Sequence, residues 1–275
     1  MNQAASPELE SASPADDEGI AASLGRQAIG LVRTGLDLYG VLVRTLYYVF
    51  RAPLDRGAVV RQMYEIGNRS IFLLTIVMGF IGTILVFQAG LQTLRVIPDL
   101  SMLGASYLEL LVRDLAASIA ALMLATRVGA GIAAEIGSMV VTEQVDALRM
   151  CAADPIDYLV KPRFLASIAM TTALTIWSGA IAVVTGMITA DVVFDVGPRT
   201  FWNLRLVHAS DLAIGLTKCV AYGAAIPVVS ASSGLSTFGG SEGVGLATTR
   251  AVVNSSLAVI ILNFLISSAG LLVFR

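Results

Sequence analysis

The sequence has little charge, one histidine and two cysteines, and each scarcity excludes a class of protein. Charged residues make up 14% of the 275 residues, against about 25% in soluble domains. The formal net charge of −2 gives no basic surface for nucleic acid. A lone loop histidine, His208, is usually a solvent contact, so we assign it no role and expect neither a metal site nor a cofactor.

Residues 1–19 lack the apolar core of a secretory signal. They are acidic and rich in alanine, serine and proline, which is typical of a disordered leader. A transit peptide would instead be rich in arginine and poor in acids. Cys151 and Cys219 fall on segments that we expect near opposite sides of a membrane, so a disulfide is not expected.

Long apolar runs dominate the remainder, and the mean hydropathy is +0.79. Residues 70–94, 164–190 and 251–274 contain no charged residue and exceed the ~20 residues that a spanning helix needs. Two further runs, 107–130 and 212–232, fit if internal charges are tolerated. The pattern predicts an all-α membrane protein with five spans, since a barrel would show short alternating segments.

The distribution of lysine and arginine predicts the orientation. Eleven lie before the first span or after the second: Arg26, Arg33, Arg44, Arg51, Arg56, Arg61, Arg69, Arg127, Arg149, Lys161 and Arg163. Four lie on the opposite side: Arg95, Arg199, Arg205 and Arg275. Because basic residues favour the cytoplasm, the N-terminus is predicted to be cytoplasmic and the C-terminus external.

Residues 20–69 are predicted to form an amphipathic helical arm before the first span. Four arginines are spaced to share one stripe of a helix: Arg26, Arg33, Arg44 and Arg51. This stripe fits an interfacial helix on an anionic membrane surface, because the arm directly precedes a span. The alternative is an ordinary helix with a solvated face.

The stretch EIGSMVVTEQVDALRM, residues 135–150, interrupts the apolar pattern between the second and third spans. Its four charges exclude a span, because each would cost about 2.5–3.5 kcal/mol at the bilayer centre. Val141, Val145 and Leu148 recur at helical spacing. We therefore predict a short amphipathic helix outside the bilayer.

Glycine is frequent both in the spans and at residues 234–245. That glycine-rich stretch lacks the Gly-Lys-Ser/Thr of a phosphate-binding loop, so a tight turn is favoured over nucleotide binding. Small residues within spans allow helices to pack closely. They predict a compact bundle that self-associates.

Three segments, 65–88, 125–166 and 239–256, resemble the MlaE/YrbE permease family, the membrane subunits of MCE-associated ABC lipid transporters. The resemblance implies an amphipathic N-terminal helix plus five spans, assembled as a homodimer in the bacterial inner membrane. It implies three further partners: a cytoplasmic ABC ATPase, a periplasmic MCE-domain protein and membrane phospholipid.

The resemblance also identifies 135–150 as a coupling helix that docks on the ATPase. The chain has no Walker motif, so energy from ATP must arrive through a contact. The residues expected at that contact are Glu135, Met139, Thr142, Glu143, Gln144, Asp146, Leu148 and Arg149. A simple connecting helix is the alternative.

Arg113, Asp114 and Lys218 match charged span residues of the family, whereas Asn263 stands where an acid is usual. All four are predicted in the outer half of the bilayer. They form either a polar patch for a lipid phosphate or, through Asp114 and Lys218, a structural ion pair. The family's Leu-Gly-Pro is replaced here by Leu-Ala-Ala at 115–117, so a kink at that point is in question.

Two other functions are alternatives to a transporter permease. A lipid-modifying membrane enzyme needs a cluster of ionisable catalytic groups at one depth, and the sequence offers none. A non-catalytic scaffold has no reason to place Arg113, Asp114 and Lys218 inside its spans, where ionisable groups are by default functional candidates. The sequence therefore favours a permease without its own ATPase site.

Overall fold

A computed structural model describes most of the chain, namely residues 20–51, 53, 55–96 and 100–273. The predicted acidic leader, 1–19, lies outside the described residues, and so do the side chains of Arg26 and Arg33. The chain divides into two compact units, 1–40 and 41–275. The described part of the first unit, 20–40, is helical.

The described residues form helices and no β-strand. In chain order they are α1 (Ile20–Arg51), α2 (Arg56–Val96), α3 (Leu103–Val141), α4 (Gln144–Met150), α5 (Ile156–Phe194), α6 (Pro198–Phe201), α7 (Ala209–Leu235) and α8 (Gly240–Val273). The helices α2, α3, α5, α7 and α8 are the five that are long and apolar enough to cross a membrane. The predicted all-α, five-span fold is confirmed.

The spanning helices extend beyond the predicted apolar runs, most clearly at α2. The predicted arm, 20–69, covers two helices, because α1 ends at Arg51 and residues 56–69 are the first turns of α2. The carboxylate of Asp55 accepts hydrogen bonds from the backbone N–H groups of Gly57 (2.9 Å) and Ala58 (3.2 Å). Such a cap fixes where a helix begins, whereas hydropathy reports only where the bilayer begins.

The bundle is built around α3, which packs against α5, α7 and α8, while α2 lies along α5. Glycines permit the closest approaches. A Cβ at Gly82 would lie 2.5 Å from the carbonyl oxygen of Ala182, and one at Gly223 would lie 2.7 Å from the Cα of Ile168. The structure thus uses small residues for backbone contact between spanning helices, as expected.

The connections between helices define two ends of the bundle. We call the end that contains 100–102 and 195–208 the outer end, and the end that contains 142–155 and 236–239 the inner end. The names follow the predicted orientation. Both cysteines are free. Cys151 is exposed beside the inner end, and Cys219 is buried within α7.

Candidate functional site

The outer end holds charged residues on a local irregularity of α3. Residues Leu111–Leu115 form a π-helical turn, and Arg113 and Asp114 lie within it. The α-helix resumes at Ala116 without a break. With alanines at 116–117 in place of the family's Gly-Pro, the helix has a π-helical turn before this point and continues through it. Turns of this kind are frequent at functional sites.

Asp114 is joined to Lys218 of α7. The Lys218 ammonium lies 2.5 Å from Oδ1 of Asp114, and the side chain of Lys218 is fully enclosed (0% exposed) while that of Asp114 is 35% exposed. Ser118 donates a second hydrogen bond to the same oxygen, at 3.3 Å. A buried ammonium needs such a partner, because an unpaired charge in an apolar bundle is very costly. This contact is the Asp114–Lys218 ion pair that the sequence offered as one of two alternatives.

Arg113 pairs with Asp211, a charged residue that is not among the predicted patch residues. Its guanidinium lies 3.7 Å from the carboxylate of Asp211, which is almost fully buried. Asp211 also accepts a hydrogen bond from the backbone N–H of His208 (3.0 Å) and so caps the start of α7. The three-residue spacing of His208 and Asp211 before an apolar run was the available signal. Two ion pairs thus join α3 to α7 at the outer end.

Asn263 is the one predicted patch residue that does not join this cluster. Its side-chain oxygen accepts a hydrogen bond from Ser267 on the same helix, α8, at 3.5 Å. Among the residues that the structure describes, it makes no hydrogen bond to Arg113, Asp114 or Lys218. The outer-end cluster consists of Arg113, Asp114, Asp211 and Lys218.

At the inner end, the prediction of one helix over 135–150 is wrong. Residues up to Val141 continue the spanning helix α3, and α4 begins only at Gln144. The turn between them places Glu143 in the left-handed region, with φ of 61°. Two causes are local. The run 140–142 is β-branched and lowers helix propensity, and the hydroxyl of Thr142 bonds to the carbonyl of Ser138 at 2.9 Å.

The break changes which residues face solvent. Val145 is buried and Leu148 is half-buried, but Val141 is exposed, so these three do not form the single apolar face that was predicted. The residues Glu143, Gln144, Asp146 and Arg149 are all exposed, as is Thr142. Asp146 and Arg149 form an ion pair at 2.9 Å on the surface of α4. The inner end therefore presents a short, charged, exposed helix.

Glu135 lies inside α3 and serves a different contact. Its carboxylate lies 2.6 Å from the guanidinium of Arg163 at the start of α5, and Arg163 is 5% exposed while Glu135 is 39% exposed. Arg163 also donates to the carbonyl of Leu159 at 2.7 Å. Met139 lines a neighbouring cavity of about 370 Å³ together with Glu135 and Lys161. Glu135 and Met139 thus belong to the bundle wall rather than to α4.

The connection after α4 is tied to the end of α1. The Tyr48 hydroxyl donates to Asp154 at 2.8 Å, and the buried ammonium of Lys161 donates to the carbonyl of Pro53 at 3.0 Å. The hydrogen bond to the Asp154 carboxylate raises the pKa of Tyr48 above its usual range. These contacts connect α1, the α4–α5 connection and α5 at the inner end. Sequence reasoning could not find them, because the partners are about a hundred residues apart.

Comparison with known proteins adds a family to this geometry. A family model described as Permease MlaE matches residues 59–269. A probable ABC transporter permease protein of Synechocystis sp. is 36% identical over 222 residues, covering 80% of this chain and 84% of that protein. The intermembrane phospholipid transport system permease protein MlaE of Haemophilus influenzae is 32% identical over 256 residues, covering 90% and 95%. The chloroplastic protein trigalactosyldiacylglycerol 1 of Arabidopsis thaliana is 32% identical over 236 residues, covering 85% and 67%.

Proposed function

We propose that this chain, which belongs to the MlaE permease family, is the membrane subunit of an ATP-driven transporter of phospholipid. In this proposal it moves lipid between a bacterial inner membrane and a periplasmic MCE-domain protein. A separate cytoplasmic ABC ATPase supplies the energy. The relative from Haemophilus influenzae, whose name refers to intermembrane phospholipid transport, supports the substrate class.

The outer-end cluster is the observation that carries the proposal. Lys218 is fully enclosed in a spanning helix, and Arg113 lies beside its partner Asp114. Ionisable groups at such positions are expensive and are retained for a function. Arg113 and Lys218 supply charged donors suited to a lipid phosphate, and Asp114 and Asp211 orient them. A scaffold that only anchors partners does not need such a cluster. The cluster therefore supports a transporter over a scaffold.

The exposed helix α4 is the proposed contact for the ATPase. Its charges lie at the inner end, and a turn with Glu143 in the left-handed conformation separates it from α3. Backbone strain of this type is held at functional sites when the surrounding structure enforces it. We infer that α4 with residues 142–143, rather than the whole of 135–150, forms the coupling element. Its charges then set the register of docking.

Charge reversal on α4 tests that assignment. Glu143→Lys and Asp146→Lys change exposed side chains, so the bundle should fold while capture of the ATPase falls, since like charges at a docking site cost several kcal/mol. Pull-down of the ATPase from membranes measures this. Glu242→Lys is the matched control, because Glu242 is exposed near the inner end at the start of α8. Undiminished capture by both α4 variants would remove α4 from the interface.

The end of α1 is proposed to lie on the membrane surface. Thr45 is buried, whereas Val43 and Phe50 are exposed, Phe50 at 84%. Exposed apolar side chains beside Arg44 and Arg51 fit an interfacial helix. Fluorophores at positions 43 and 50 should report an apolar environment in bilayers. Full water access at both would leave α1 as an ordinary solvated helix.

We also infer that two copies of the chain form the transporter, with cytoplasmic N-termini. Support comes from the family resemblance, the small residues in the spans and the arginine count. Purification from native membranes, with identification of bound proteins and lipids, tests the whole assembly. Recovery of an ATPase, an MCE-domain protein and phospholipid supports the transporter. Recovery of the chain with partners but without lipid would favour a scaffold.

A further inference from the structure

A second cluster of basic residues lies at the inner end, away from the outer-end cluster. Arg69 of α2 and Arg127 of α3 line a cavity of about 570 Å³ between these two helices. Arg127 donates a hydrogen bond to the hydroxyl of Ser70 at 3.4 Å. This contact places Arg127 level with the start of the charge-free run 70–94, which is where a bilayer surface would lie.

The charges around this cavity do not balance within the protein. Two acids, Glu65 and Glu135, also line it. Each has its own cation within 4 Å, since Glu65 pairs with Arg61 at 3.9 Å and Glu135 pairs with Arg163 at 2.6 Å. In the described part of the chain neither cavity arginine has a carboxylate within ion-pair distance. The cavity therefore has two cations available for an external anion.

The remaining wall of the cavity is mostly apolar. Apart from Gln62 and the charged residues, its lining is apolar, and Ile66, Val128 and Ile132 lie beside the two arginines. A small hydrated anion would gain nothing from these side chains, whereas the glycerol and first methylenes of a lipid would be removed from water by them. Arginines at the bilayer level and an apolar wall together fit an anionic amphiphile.

We propose that the cleft of Arg69 and Arg127 binds the headgroup of an anionic phospholipid from the inner leaflet. This site is separate from the outer-end cluster. The inference rests on the proposed function only in taking phospholipid as the ligand class, and its readout is binding. It can therefore fail while ATP-driven transport holds, and the reverse is also possible.

Two kinds of variant test the site on the full-length protein in detergent. Arg69→Gln with Arg127→Gln removes the cations and keeps hydrogen-bonding side chains. Gly131→Leu leaves the charges and fills the cleft, since a Cβ at Gly131 meets no atom within 4 Å. The controls are Arg56→Gln at the exposed start of α2, and Gly245→Leu, where a Cβ likewise meets nothing within 4 Å. Both glycine variants raise helix propensity equally.

Native mass spectrometry with added phosphatidylglycerol gives the affinity. We expect the double arginine variant and Gly131→Leu to bind this lipid about tenfold more weakly than the wild type, and both controls to match the wild type. Phosphatidylcholine, which carries its own cation, should bind the wild type several-fold more weakly than phosphatidylglycerol. If the double variant does not fold, Arg69→Gln alone serves, because the side chain of Arg69 is exposed.

Three results would overturn the proposal. The first is unchanged phosphatidylglycerol binding in the arginine and Gly131 variants. The second is displacement of the lipid by millimolar inorganic phosphate, which would make the ligand a free phosphate. The third is a Gly131→Leu variant that loses dimer and keeps lipid binding, which would show that a second copy covers the cleft.

Discussion

The outer and inner ends of α3 are each joined to a neighbouring helix by an ion pair, and the two pairs differ in how the cation is satisfied. Asp114 pairs with Lys218 at the outer end, and Glu135 pairs with Arg163 at the inner end. In both, the cation is buried and the acid is about one-third exposed. Arg163 has a second acceptor, the Leu159 carbonyl, whereas the hydrogen bond described for Lys218 is to Asp114 alone.

This difference follows from the chemistry of the two cations. A guanidinium has five donors in a fixed fork and can keep one acceptor when another is lost. An ammonium enclosed in an apolar bundle depends on its single carboxylate. The inner pair is therefore suited to holding α3 and α5 together, while the outer pair is the one that a competing phosphate could rearrange.

The largest expected effect is at the outer pair. Asp114→Asn leaves Lys218 enclosed without a counter-charge and should cost about 3–5 kcal/mol of stability. Lys218→Met should cost less, because the carboxylate that remains is partly exposed. The double variant Asp114→Asn, Lys218→Met should recover most of the loss. Thermal unfolding in detergent gives the order of the three variants, and equal losses in the two single variants would contradict the role of burial.

The inner pair should be more tolerant. Glu135→Gln leaves Arg163 with the Leu159 carbonyl and a neutral acceptor, so we expect a loss of about 1–3 kcal/mol. The same unfolding assay compares it with Asp114→Asn. Asp146→Asn, in the exposed pair of α4, is the reference and should cost less than about 1 kcal/mol. A larger loss for Glu135→Gln than for Asp114→Asn would reverse the comparison.

A smaller effect is expected at the turn before α4. Glu143→Gly should stabilise the protein by up to about 1 kcal/mol, since glycine adopts the left-handed conformation without a steric penalty. Ala147→Gly, in the interior of α4, should destabilise it by about 1 kcal/mol. Introducing glycine should thus change the stability in opposite directions at two positions that are four residues apart. Helicity and melting temperature of the two variants measure this, and matching signs would show that the turn is not strained.

The smallest effect concerns pH. Tyr48 donates to Asp154, which raises the pKa of Tyr48 above its ordinary value of 10.0. A raised pKa in the folded state means that this contact stabilises the fold below about pH 10 and is lost as pH rises through the folded value. Difference absorbance of tyrosine should show one fewer late-titrating group in Tyr48→Phe. An unchanged titration would show that the contact does not hold Tyr48.

Some of this architecture could be predicted from the sequence. Long charge-free runs require spanning helices, and a lysine in an apolar helix requires a nearby acid, so the five spans and the proximity of Asp114 and Lys218 were both predictable. The helix break at Glu143 was missed, because the apolar spacing of 141, 145 and 148 also fits one continuous helix. Only the hydroxyl bond of Thr142 and the left-handed turn separate the two possibilities.

The missed partners, Asp211 and Arg163, show the same limit. Each forms an ion pair with a residue of another helix, Asp211 with Arg113 and Arg163 with Glu135. Which residues of two packed helices touch depends on the rotation and crossing angle of the helices. A single sequence does not contain that information. The spacing of Asp211 from His208 weakly indicated a helix cap. For Arg163 the sequence indicated only a basic residue on the cytoplasmic side.

The most direct test of the account compares lipid transfer and ATP hydrolysis in the double variant Asp114→Asn, Lys218→Met. The protein is reconstituted in proteoliposomes with its ATPase and MCE-domain partner, and movement of labelled phospholipid is followed beside phosphate release. We predict that the variant assembles and supports hydrolysis, because α4 is untouched, and that lipid transfer is lost. Transfer at the wild-type rate would contradict the account, since the outer-end pair would then be structural and the lipid phosphate would bind elsewhere.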